Sequence, residues 1–295
     1  MKKLLALMLA GVGLLLIFGC SQAPPTQSSV DHSIQLVQRP TFVETRPADV
    51  VVNFTVDKQN VPIAVLNKKP PPEPPPPDTG SGDPNPTPAH KYVYIIGISD
   101  YEGTANDLEF CDDDAIAMRA WFLTQGFTCR MDLDGAATAD NITAGLQWLI
   151  NNAVPGDEVA LCYSGHGARS TEGSAMISAD LYYMTHGYVM SYFNAINCSK
   201  KLVTIDACVI GDFHSDVVAG TFMATASYSR YSYDAPDLSH GAWTYYWLDG
   251  VEDQSIVYAE EAAPYAEDGM EAWASQYRLK VDPYHTDAYT GGMDM

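Results

Sequence analysis

Basic side chains are what the folded part of this sequence has least of. Residues 91–295 hold nine Lys and Arg against thirty Asp and Glu, a net charge of −21. Phosphate neutralisation needs clustered Lys and Arg, so nucleic acid is excluded as a partner. None of the six cysteines stands in a Cys-x-x-Cys pair, which argues against a zinc site. No Gly-x-x-x-x-Gly-Lys-Ser/Thr and no usable dinucleotide fingerprint occurs, so nucleotide chemistry is excluded in practice. A Gly-x-Ser-x-Gly elbow is missing too, which weakens an esterase reading. Asp132-Leu133-Asp134-Gly135 lacks the remainder of an EF-hand loop. The apolar run Leu4 to Phe18 is too short and wrongly flanked for a membrane span. No internal repeat is visible. What is plentiful is apolar: 46% of the residues, enough for a buried core.

Lys2 and Lys3 precede that early apolar run, which ends Ile17-Phe18-Gly19-Cys20. The pattern resembles the bacterial lipoprotein lipobox. The resemblance implies a signal peptide over 1–19, acylation of Cys20, export, and a lipid anchor in a cell-envelope membrane. Several acyl chains hold a protein at a membrane where one does not. Ser21 in place of Asp favours the outer membrane if the host is Gram-negative; a Gram-positive host would display it on its only membrane. Fifteen of the nineteen prolines lie within 20–90, with Pro70-Pro71-Pro72-Glu73-Pro74-Pro75-Pro76-Pro77 at their centre. Such a stretch favours extended polyproline geometry, so residues 20–89 read as a tether. Val50 to Val56 has strand character, and within 41–68 a hairpin and disorder both stay open. Residues 90–295 form the globular part.

From residue 91 the pattern alternates. Tyr92 to Ile98 reads as a buried strand, and Ala115, Met118 and Phe122 recur at helical spacing until Gly126. Phe127 to Leu133 predicts a second strand. Ile142, Leu146, Leu149 and Ile150 predict a helix capped by Thr138 or Asp140. Glu158 to Tyr163 and Leu202 to Ile205 predict two more strands, with a helix around 185–196 between them. Strands alternating with helices indicate an α/β fold with a mainly parallel sheet, covered on both faces.

Chemistry in such sheets gathers beyond the carboxyl ends of the strands. One strand runs into Ser164-Gly165-His166-Gly167 and another into Asp206-Ala207-Cys208. A thiol needs a base to become a thiolate near neutral pH, and an imidazole at the neighbouring strand end can serve. Tyr163-Ser164-Gly165-His166-Gly167 and Ile205-Asp206-Ala207-Cys208 resemble the two catalytic motifs of the caspase-like cysteine peptidases, in the metacaspase and bacterial caspase-like branch. Ile95 to Tyr101, Leu108 to Ala115, Ala137-Thr138 with Asn141-Ile142, Met223 to Ser227 and Gly241 to Tyr245 follow in the family's order. The resemblance covers roughly 91–250 and implies a three-layer α/β/α sandwich. It also implies a His166–Cys208 dyad, with the backbone N–H groups of Gly167 and Cys208 as the oxyanion hole. Val209-Ile210-Gly211 departs from the more usual Phe-Ser-Gly after the nucleophile.

By the same resemblance Asp114 and Asp206 line the S1 pocket, so the expected substrate is a peptide or protein with Arg or Lys at P1. Arg169 is the one basic residue beside either motif. No cofactor is required, although some metacaspases use calcium, for which Asp180, Asp212 and Asp216 are candidate ligands. Export permits disulfides among Cys111, Cys129, Cys162 and Cys198, with the pairing left open, while Cys208 must stay free. The competing expectations are an inactive caspase-like scaffold or binding lipoprotein, and an unrelated hydrolase whose Cys and His pair by chance.

Overall fold

The computed structural model describes residues 87–295, together with Val30 and a two-residue strand, β1 (Val37–Gln38). The expected signal peptide with Cys20, the proline run 70–77 and the stretch 41–68 lie outside the described residues, while β1, within the expected tether, pairs with Tyr182 and Tyr183 of the domain. Among the described residues no helix is long and apolar enough to cross a membrane.

The chain alternates from the start of the domain: β2 (Lys91–Gly97), α1 (Cys111–Thr124), β3 (Thr128–Leu133), α2 (Ala139–Asn152) and β4 (Glu158–Ser164). Next come three short strands, β5 (Gly167–Ser170), β6 (Gly173–Ile177) and β7 (Tyr182–Thr185), then α3 (His186–Ala195) and β8 (Lys200–Asp206). The remainder is β9 (Thr221–Thr225), a two-residue pair β10 (Asp234–Ala235) and β11 (His240–Gly241), α4 (Ala242–Leu248), α5 (Ala259–Gln276) and β12 (Tyr284–Asp287). The main sheet has the order β12-β9-β8-β4-β2-β3. All its pairings are parallel except that of β12 on β9.

Alternation of side chains explains why the central strands are apolar along their whole length. Val93 and Ile95 of β2 face a core shared with α1, α4 and α5, while Tyr94 and Ile96 face the one shared with α2 and α3. In β8, Leu202 goes one way, Val203 and Ile205 the other. The result is the three-layer α/β/α sandwich expected from the sequence. Thr138 rather than Asp140 caps α2, its hydroxyl accepting from the Asn141 N–H (3.3 Å).

Two pieces of topology position the site. The chain leaves β2 toward β3 on one side and returns to β4 on the other, so the crevice beyond β2 and β4 is a topological switch point. β1, β7, β6 and β5 then form a small antiparallel sheet directly after it. That sheet fills most of the stretch between His166 and α3.

Candidate active site

His166 and Cys208 are forty-two residues apart in sequence but level in space. β4 and β8 pair in parallel with Ser164 opposite Asp206, so His166 and Cys208 each stand two residues beyond matched positions. The Gly165 N–H donates to the Asp206 carbonyl (3.1 Å), extending that register into the loops. Both side chains are buried and line one cleft with Leu108, Cys111, Ser164, Asp206 and Tyr233.

The imidazole is fixed by its backbone and its ring. The His166 N–H donates to the Tyr101 hydroxyl (2.8 Å), and His166 Nε2 lies 2.6 Å from the carbonyl oxygen of Asn106. A carbonyl only accepts, so Nε2 is the donor of this contact, and in the neutral imidazole Nδ1 is then the acceptor nitrogen. Gly167 lies so close to the nucleophile loop that an added Cβ would collide with the Cys208 carbonyl oxygen. Across the β5–β6 ladder Gly167 faces Met176, and the Ile177 N–H donates to the His166 carbonyl (3.0 Å). Antiparallel alternation therefore turns the Gly167 N–H away from β6.

Cys208 follows β8. Its sulfur accepts from the Ser232 N–H (3.3 Å), while the Ser232 carbonyl lies 3.7 Å from it. Val209 next to it has φ +51°, a left-handed backbone that a β-branched residue rarely adopts. Val209 is held there from both sides: its N–H donates to the Arg230 carbonyl (2.9 Å) and its carbonyl accepts from Ser174 Oγ (2.5 Å). Burial pushes the thiols of Cys111, Cys129, Cys162 and Cys198 up, which keeps them protonated and poorly nucleophilic. No disulfide forms among the five described cysteines.

Of the two expected pocket acids, Asp206 lines this cleft, and Asp114 lines an adjoining cavity that shares Ser164 and Asp206 with it. Asp114, near the start of α1, is fully buried, whereas its neighbour Asp113 is exposed and Asp112 bonds the Ser99 hydroxyl (2.6 Å). Asp114 Oδ2 accepts from Ser164 Oγ (2.7 Å) and from the Gly241 N–H (3.2 Å); Oδ1 accepts from the Gly241 N–H (3.0 Å) and from His240 Nδ1 (2.9 Å). A Cβ at Gly241 would strike both carboxylates, so the backbone reaches them only because residue 241 has no side chain. Asp206 accepts from the Ser232 hydroxyl and from the N–H and hydroxyl of Thr244 (3.0 Å each). Burial, then the neighbouring charge of Asp114, pushes Asp206 up to about 7. Asp234 is the second acid in the cleft lining, beside Asp206. The cleft has an internal volume of only about 20 Å³, close to the room one water needs, so a long side chain enters only if the lining moves.

The three candidate calcium ligands do not meet. Asp180 caps α2, accepting from the Ala139 N–H (2.9 Å) and Ser178 Oγ (2.6 Å). Asp212 instead accepts from the N–H of Ser174 (2.8 Å), with Arg169 at 4.0 Å, and Asp216 pairs with His186 (2.6 Å). Among the described residues no group of three or more His, Cys, Asp or Glu side chains could hold a metal ion. Each of the three already serves as a cap or an ion-pair partner, which corrects the expectation that Asp180, Asp212 and Asp216 form one ligand set.

Sequence reasoning missed Ser164, Ser232, His240 and the Asn106 carbonyl. Ser164 and His240 had a signal, since one sits inside the His166 motif and the other just before Gly241-Ala242-Trp243. A backbone carbonyl has none.

The sequence model of the family described as the caspase domain matches residues 90–270. Over 89 residues, 26% of this chain, the sequence is 35% identical to Metacaspase-1 of Saccharomyces cerevisiae strains YJM789 and S288c, and it covers 20% of those proteins. The fold resembles the crystal structure of protein GSU0716 from Geobacter sulfurreducens, with a TM-score of 0.54 at 15% identity, over 70% of this chain and 97% of that one.

Proposed function

The chain belongs to the caspase-domain family, and from that premise we propose that it is a cysteine endopeptidase cleaving after Arg or Lys. In this reading Cys208 attacks the scissile carbonyl and His166 Nδ1 takes the thiol proton, later returning it to the leaving amine. The Asn106 carbonyl holds the imidazole in the required tautomer and orients it. The N–H groups of Gly167 and Cys208 receive the developing oxyanion. The observation that carries the proposal is the 2.6 Å contact between His166 Nε2 and Asn106. It makes Nδ1 the proton-accepting nitrogen of the neutral ring, on a residue that lines one cleft with Cys208.

The P1 cation would be met by Asp114 and Asp206. Such a cation is stable in a partly desolvated pocket only with carboxylates around it, and a planar guanidinium suits them better than an ammonium. The lipobox-like segment ending at Cys20 supports an exported, lipid-anchored form. A mass spectrum of the processed N-terminus would show an acylated Cys20 if that is right, and an unmodified one if it is wrong.

The test of the activity is labelling with a thiol-reactive peptide carrying Arg at P1. We expect one adduct, on Cys208, and no turnover by Cys208→Ala or His166→Ala. Residual turnover within tenfold of wild type, about 1.4 kcal/mol of barrier, would be incompatible with these roles.

A further inference from the structure

The acid proposed to receive the substrate's cation already has a partner. All four acceptor directions of the Asp114 carboxylate are taken, by Ser164 Oγ, by His240 Nδ1 and twice by the Gly241 N–H. Of the three donors, one is the backbone N–H of Gly241, shared between both oxygens, and one is a short buried hydroxyl. His240 is different, because its side chain is half-buried and reaches solvent, with a quarter of its surface exposed. A cation arriving at Asp114 can displace the imidazole far more readily than the strand.

We propose that His240 is a resident counter-ion of the S1 pocket, bound to Asp114 until a basic P1 side chain takes its place, and that it thereby sets how strongly the enzyme prefers Arg. This rests on the reading of Asp114 and Asp206 as the S1 acids. Two buried carboxylates side by side repel each other, and a protonated imidazole between Asp114 and solvent relieves that repulsion in the empty site. The same positive charge opposes an incoming guanidinium. Loss of the His240 proton leaves both acids to the substrate.

The charged surroundings of His240 are acidic on every side. α1 contributes Asp113 and Asp114, the end of β8 contributes Asp206, and β10, paired with β11, carries Asp234. From α4 the Tyr245 ring lies 6.4 Å from the imidazole. The hydrogen bond to Asp114, then the field of these acids, raises the His240 pKa above the ordinary histidine range despite partial burial. Protonated His240 therefore extends toward neutral pH, where it competes with substrate.

The test uses the full chain and two peptides alike except at P1, one with Arg and one with its uncharged isostere citrulline. His240→Asn keeps an amide donor near the place of Nδ1 and removes the charge. The ratio of kcat/KM for Arg over citrulline should be about tenfold higher in His240→Asn than in wild type near pH 6, and the two should converge near pH 9 as the wild-type imidazole deprotonates. Equal ratios in the two proteins at every pH overturn the proposal. A wild type with no preference for Arg at any pH overturns instead the S1 assignment beneath it. A second readout needs no turnover: the NMR titration of the His240 imidazole with and without benzamidine, a small amidinium. Bound benzamidine should lower the midpoint, because it takes Asp114 and adds a positive charge; an unmoved midpoint at saturation overturns the displacement. Absence of benzamidine binding would again count against the S1 assignment.

Discussion

Burying Asp206 beside Asp114 raises its affinity for a proton, and the same two carboxylates are the groups proposed to hold a cationic P1 side chain. The consequence for stability has a definite sign. An unfolded aspartate titrates at about 3.9, whereas burial and then the Asp114 charge push Asp206 in the fold up to about 7, as one of two carboxylates that titrate as a pair. Between those values the native state binds more protons than the unfolded chain, so stability falls as pH rises through the window. Asp206→Asn removes that term. The melting temperature of wild type should therefore fall relative to Asp206→Asn between about pH 5 and about pH 7. Parallel melting curves across the window would show that Asp206 is not raised. Cleavage after Arg should meanwhile weaken by on the order of 2–5 kcal/mol of transition-state binding, as for truncating one member of a buried charge pair. Labelling of Cys208 by a small uncharged reagent should change much less. His166, Cys208, Asp114 and Asp206 were legible because each falls in a motif at a strand end or helix start. His240 stands just before a motif, but its role does not show there, because it comes from a contact with a residue 126 positions earlier.

The long parallel strands and the first three helices were readable from runs and periodicity, since burial on both faces leaves few polar interruptions. β5, β6 and β7 were not. They are four or five residues long, β6 opens on a glycine, and their pairing is set by the turns between them. β12 reads Tyr-His-Thr-Asp and lies half-exposed at the sheet edge, with no apolar pattern to reveal it. Capping was readable in part: Thr138 was an expected cap of α2, but the carboxylate of Asp180 joins it from a loop forty-one residues later. That assignment separates structure from calcium. Asp180→Ala should destabilise the domain by roughly 1–3 kcal/mol, the cost of leaving helix-end donors without a charged acceptor. Any response of activity to calcium should be the same in the variant and in wild type. A calcium response lost with Asp180, at unchanged thermal stability, would reverse the assignment.

At the scale of the molecule the dominant fact is charge. Thirty acids and nine bases within 91–295 set up a negative field well beyond any one pair. The candidate cleft lies inside that field and carries two acids of its own, Asp206 and Asp234, with Asp114 in the adjoining cavity. Solubility alone would explain a surplus of surface carboxylates, but it would not distinguish among substrates. Electrostatic steering would, because it acts on the net charge of the arriving peptide and only over distances that salt leaves unscreened. Raising ionic strength from about 0.01 M to about 0.15 M shortens the Debye length from roughly 30 Å to roughly 8 Å. For a peptide with Arg at P1 and further basic residues, kcat/KM should fall by about tenfold or more over that range, mostly through the association rate. A peptide with the same P1 Arg but a net charge of zero should lose far less, since it keeps the contact in the pocket and forgoes the long-range pull. A net-acidic peptide should gain, as screening weakens its repulsion. If all three peptides responded to salt alike, the acidic surface would have no part in choosing substrates, and selection would rest on Asp114, Asp206 and His240 alone.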